Sequence, residues 1–95
     1  MPFYKRRWDE SRDDAYDRWG CSWWYFEADL SGLVARQIEV YDTGPTLRYD
    51  NAHEEGPYGG LAQASLWENE AEKARFEEIP QDQFEALWMR AAYAV

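Results

Sequence analysis

His53 is the only histidine in this 95-residue chain, and it stands among Asp50, Glu54 and Glu55. An imidazole beside a carboxylate can act as a general base, because the acid fixes the ring's tautomer and orientation. The Asp50-x-x-His53-Glu54 run also offers a metal one nitrogen and several oxygens. No second histidine or cysteine lies near it, however, and the Asp/Asn spacing of a calcium loop is missing. The single cysteine, Cys21, sits between Trp19 and Trp23 with no spacing that ties it to His53. No serine stands in a G-x-S-x-G elbow, and Gly56, Gly59 and Gly60 do not match a phosphate loop. Carboxylates are so plentiful that any two would pair by chance. The sequence therefore predicts a protein that is not an enzyme and holds no metal or cofactor. If it did catalyse, His53 with Asp50 or Glu55 would be the first suspects.

The elements that must position these residues centre on Ser22 to Asp50. Ser22, Trp24, Phe26, Ala28 and Leu30 alternate with Trp23, Tyr25, Glu27 and Asp29, the period of a half-buried strand. Asp29 to Gly32 reads as a hairpin turn closed by a left-handed glycine. Val34, Arg36, Ile38 and Val40 share one side of the next strand, and Ala35, Gln37, Glu39 and Tyr41 the other. Asp42-Thr43-Gly44-Pro45 supplies turn chemistry, glycine for positive φ and proline for fixed φ, before Leu47 and Tyr49 begin a third strand. Such short connections require an antiparallel meander. Trp24, Phe26, Ile38, Val40, Leu47 and Tyr49 are expected on its buried face. Trp23, Tyr25, Arg48 and, with a bulge, Arg36 are expected on a partly open aromatic face. A small protein filling a thin core with large side chains accounts for the same composition; Trp, Tyr and Arg are also the residues that dominate binding hot spots.

Around the meander the chain punctuates itself. Met1 to Trp8 suits an edge strand. Ser11 looks like the cap of a short helix from Arg12 to Trp19 that stops at Gly20, with a long acidic loop as the alternative. Tyr49 to Leu61 is loop, broken by Gly56, Pro57, Gly59 and Gly60. Glu68 to Phe76 holds good helix formers, and Phe76 to Ile79 is extended. The last helix begins after Pro80, with Ile79 and Phe84 at hydrophobic-staple spacing. Phe84, Leu87, Trp88, Ala91 and Val95 form its apolar stripe, while Asp82, Glu85 and Arg90 point away. That stripe must be covered, and the apolar face of the meander is the available surface. The predicted fold is one α+β domain over residues 1–95: a small antiparallel β-meander with its apolar face packed on a C-terminal helix.

The run YFEADLSGLVARQIEVYDTGPTLRYD, followed by His53, GPYGGL and FEEIPQDQFEALW, resembles a family of small bacterial domains with no established activity. The resemblance covers Trp24 to Trp88, and RQIEVYD is its most specific string. Pro80 replaces the helix-capping serine of that pattern, and Ala62 to Arg75 is longer than usual. The resemblance implies the fold. Some small acidic bacterial domains of this look serve as immunity proteins that neutralise a toxin, which extends the analogy to an inhibitor.

Composition supports a protein partner of a particular sign. The formal charge is −9, from 10 Lys and Arg against 19 Asp and Glu. Residues 49 to 95 carry ten acids against three bases. This disfavours nucleic acid, whose phosphates need clustered cations, and favours capture of a basic protein surface. No membrane-length apolar run or signal h-region is present, and one cysteine fits a reducing compartment, so a cytoplasmic, bacterial protein is expected. The expected function is an acidic, non-catalytic protein-binding module of immunity or inhibitor type, with Trp23, Tyr25, Arg48, His53, Glu54, Glu55 and Tyr58 as contacts. The alternative is a small-molecule site built from the 50–60 loop and the adjacent aromatic sheet face. A third reading is a homo-oligomer that buries the aromatic face.

Overall fold

The strands and helices of the computed structural model, which describes residues 2–93, follow the punctuation of the sequence. In chain order they are β1 (Phe3–Trp8), a 3-10 turn (Asp17–Trp19), β2 (Ser22–Ala28), β3 (Val34–Tyr41), β4 (Thr46–Asp50), β5 (Glu55–Gly56), β6 (Gly59–Gly60), α1 (Glu70–Lys73), β7 (Glu77–Ile79), α2 (Gln81–Arg90) and β8 (Ala92–Tyr93). The fold is α+β. Six strands form one sheet in the order β7-β1-β2-β3-β4-β8, antiparallel except for the β4–β8 pair. β5 and β6 make a separate small hairpin. β1 lies inside the sheet, between β2 and β7, rather than at an edge.

Register decides which side chains share a face, because a slip of one residue exchanges the two sides. Trp24 pairs with Glu39 and Tyr25 with Ile38. Ile38 and Val40 therefore lie with Tyr25 and Trp23, not with Trp24 and Phe26 as the alternation alone suggests. The irregularity at Glu27/Ala28 skips Ala35, so Val34 joins Phe26 while Arg36 joins Glu27. Both faces are consequently apolar, and each has its own cover.

On the first face, Phe26, Val34, Tyr41, Leu47 and Tyr49 pack under the irregular 9–21 and 57–76 segments, which contribute Trp19 and Leu61. On the second, Phe3, Ile38 and Ile79 pack under α2 through Phe84 and Ala91, with Leu87 and Trp88 alongside. Ile38 and Phe84 are fully buried, each contributing about 1.5–3 kcal/mol. Pro80 is the N-cap of α2, which sets Ile79 and Phe84 as the staple that closes its first turn. Val95, the last position of the expected stripe, lies outside the described residues.

Local chemistry explains the departures. No helix spans 12–19, because Asp13 sits at φ 58 and side chains take over the backbone donors: Asp14 accepts from Tyr16 N–H and Asp17 from Asp13 N–H. Ser11 caps no helix: the 3-10 turn begins after Tyr16, without a side-chain cap. Asn69, not Glu68, opens α1 by accepting from Ala71 and Glu72. Gly44 is not at positive φ; a Cβ there would stand 2.5–2.9 Å from Trp19, so the turn needs glycine for space. Glu85 turns inward to Arg36.

Candidate functional site

The seven expected contact residues fall on both sides of the sheet. Trp23, Tyr25 and Arg48 lie on the α2 side. Lys5 and Arg7 stand 5.0 and 5.7 Å from the Trp23 ring, and Tyr25 packs beside the α2 core. Arg48 is occupied: Nη1 donates to the Trp88 carbonyl at 2.8 Å, and the guanidinium lies 4.2 Å from the Tyr93 ring centre. His53 Nδ1 meets Asp50 at 2.9 Å, and its ring stacks on Tyr93 at 3.9 Å. Tyr93 also donates to Asp50. Burial pushes the Asp50 pKa up, but the hydrogen bonds from His53 and Tyr93 outweigh it and hold the carboxyl below its ordinary value. Glu54 and Glu55 are exposed. Tyr58 belongs to the opposite face, edge-on to Tyr16 and near Trp19. These residues therefore do not form one patch, because the β5–β6 hairpin folds its aromatic tip over the Trp19 side.

Sequence reading missed a polar network inside the first face. Glu39 is only 2 % exposed. Its carboxylate accepts from Gln37 Nε2 at 2.8 Å and from the Tyr41 hydroxyl at 2.7 Å. Gln37 is held in that orientation by Ala62 N–H on its oxygen and by the Gly60 carbonyl on its nitrogen. Arg12 Nη1 donates to Tyr41 at 2.9 Å. Burial raises the Glu39 pKa, and the hydrogen bonds from Tyr41 and Gln37, with the charge of Arg12, work against that rise. The alternation at Gln37-Ile38-Glu39-Val40 puts Glu39 on the side opposite Ile38, and because both faces of the sheet are covered, that side is buried as well.

Above Tyr41 lies an open cavity of about 420 Å³, bounded by Trp8, Trp24, Glu10, Arg12 and Asp13. Trp8 and Trp24 stand 5.8 Å apart, and Trp24 Nε1 donates to the buried Ser22. The two strands place these indoles together, since Trp8 pairs with Ser22 two residues before Trp24. A smaller cavity of about 250 Å³ shares Trp8 and Glu10 with it and is lined also by Arg6 and Glu72. A volume of the larger size takes a side chain or a small ligand. The interleaving of Trp8, Arg12 and Trp24 with acids was visible in the sequence, but only the β1–β2 pairing brings them to one place.

Among the described residues, no group of three or more His, Cys, Asp and Glu stands together to hold a metal, and no helix is long and apolar enough to cross a membrane. Compared with family models, curated proteins and solved structures, the chain matches none.

Proposed function

We propose that the protein is a non-catalytic acidic module that binds a basic protein, in the manner of a bacterial immunity or inhibitor protein, in a reducing cytoplasm that suits its free Cys21. The observation that carries this reading is where the fold spends its cations. Lys5 pairs with Glu77, Arg6 with Glu72, Arg7 with Asp42, Arg12 with Asp14, and Arg36 with Glu27 and Glu85. Exposed Glu10, Asp13, Glu54, Glu55, Glu68 and Glu78 have no cationic partner among the described residues. Unpaired acids therefore outnumber unpaired bases at the surface, and the resulting negative field draws in a basic partner and speeds encounter.

The alternative, a small-molecule site in the 50–60 loop, has less support. That loop is closed on itself by the β5–β6 pairing and the Asp50–His53 bridge, and its aromatic residue packs inward. Capture from a native bacterial lysate, washed at rising salt, tests the proposal. A stoichiometric basic protein released by salt is the expected result, and retention only of acidic or neutral proteins would refute it.

A further inference from the structure

We infer that the 420 Å³ cavity between Trp8, Trp24 and the 10–14 segment receives an arginine side chain of the basic partner. This rests on the acidic-module reading and names where the module makes its anchoring contact.

The floor is aromatic. The indoles of Trp8 and Trp24 and the ring of Tyr41 line it, and the faces of such rings attract cations. The charges within the cavity are unequal. Every nitrogen of the Arg12 guanidinium is engaged, Nε and Nη2 with Asp14 and Nη1 with Tyr41. Asp14 is in turn saturated by Arg12 and by Tyr16 N–H. That leaves Glu10 and Asp13, both exposed and without a hydrogen-bond or ion-pair partner for their carboxylates among the described residues. Arg12 is matched by Asp14, so the cavity as a whole is short of positive charge.

The chain already places guanidinium groups by two of these rings, Trp8 and Tyr41, and by the nearby Tyr16 and Trp19. Arg6 lies 4.3 Å from the Trp8 ring centre, and Arg12 lies 5.5–5.7 Å from the rings of Trp19, Tyr16 and Tyr41. A planar, weakly hydrated guanidinium stacks on an indole and offers paired N–H groups to a carboxylate, which an ammonium does not. Arginine is the occupant that uses both the floor and the rim.

The test is a titration of the ¹⁵N-labelled protein with a short peptide alternating arginine and glycine, read at the tryptophan indole N–H signals. It is repeated with two double variants of equal net charge, E10Q/D13N at the cavity and E70Q/D82N, exposed acids outside its lining. We expect saturable shifts at Trp8 and Trp24, about tenfold weaker binding for E10Q/D13N, and little change for E70Q/D82N, as befits the loss of two charge contacts. The lysine counterpart of the peptide should bind more weakly. Binding that both variants weaken equally, with the Trp8 and Trp24 signals unmoved, would overturn the cavity while leaving the acidic module intact. Absence of saturable binding by the wild-type protein would overturn both.

Discussion

The Tyr41 hydroxyl donates to Glu39 at 2.7 Å and at the same time accepts from Arg12 at 2.9 Å. One phenol therefore joins a carboxylate buried in the sheet to the guanidinium that borders the open cavity. The link spans the two layers of the first face, and it makes the rim of the candidate site depend on the centre of the fold.

Removing that phenolic oxygen should be costly. Tyr41→Phe leaves a buried carboxylate oxygen of Glu39 without its donor, a loss of about 1–3 kcal/mol. Tyr49 provides the control. It is 1 % exposed, yet its hydroxyl has no hydrogen-bond partner among the described residues. Tyr49→Phe should therefore change stability by less than about 0.5 kcal/mol or raise it. Urea denaturation of the two variants measures this directly, and equal losses would count against the network.

Glu39 also sets a pH dependence of unusual sign. Its folded pKa is raised, chiefly by burial, so the folded state holds the proton more tightly than the unfolded chain does. Stability from this group is then greatest below the unfolded carboxylate range and declines as pH climbs through the raised value. Asp14, Asp42 and Glu85, lowered by hydrogen bonds from Arg12, Arg7 and Arg36 respectively, act oppositely and lose their contribution as pH falls. Taking the difference between Glu39→Gln and wild type cancels those groups. The stability of the variant relative to wild type should climb with pH across that window and then level off; a difference flat in pH would show that Glu39 titrates normally.

Arg36 ties α2 to the sheet. It meets Glu27 through Nε at 2.6 Å and Glu85 through both terminal nitrogens at 2.9 and 2.7 Å. The pair is partly exposed, so its coupling should be modest, about 1 kcal/mol, the upper end for such contacts because the geometry is bidentate. A double-mutant cycle of Arg36→Ala and Glu85→Ala measures it, and additive losses would show that the clamp is not energetic.

Gly44 bears on Trp19. Its backbone accepts any residue, but a Cβ would press within 2.9 Å of ring and Cβ atoms of a buried tryptophan. Gly44→Ala should cost about 1–3 kcal/mol by overpacking and shift the thermal midpoint down. An unshifted midpoint would mean that the turn and Trp19 part easily.

What was legible in the sequence was local. Period two marked β2, β3 and β4, the Ile79/Phe84 spacing marked the start of α2, and Asp29 to Gly32 read as the turn it is, with Gly32 at φ 84. Parity between strands was not legible. Which of Trp24 or Tyr25 shares a face with Ile38 depends on one residue of loop length and on the skipped Ala35, and neither leaves a hydrophobic signature when both faces are apolar. The cavity was hidden for a related reason. Trp8 and Trp24 become neighbours only through non-local pairing of β1 with β2, and the 9–21 segment closes over them by side-chain-to-backbone bonds that no helical period announces. The burial of Glu39 was hidden too, because nothing in its neighbours foretells a second cover on its side of the sheet.

The most direct test of the account is capture of partners from native bacterial lysate on immobilised wild-type protein and on E10Q/D13N, eluted stepwise with salt and identified by mass spectrometry. The account predicts one stoichiometric basic protein on the wild type, released as salt rises and depleted on the variant. A partner that is acidic or neutral, or one held equally by both proteins through high salt, would contradict it.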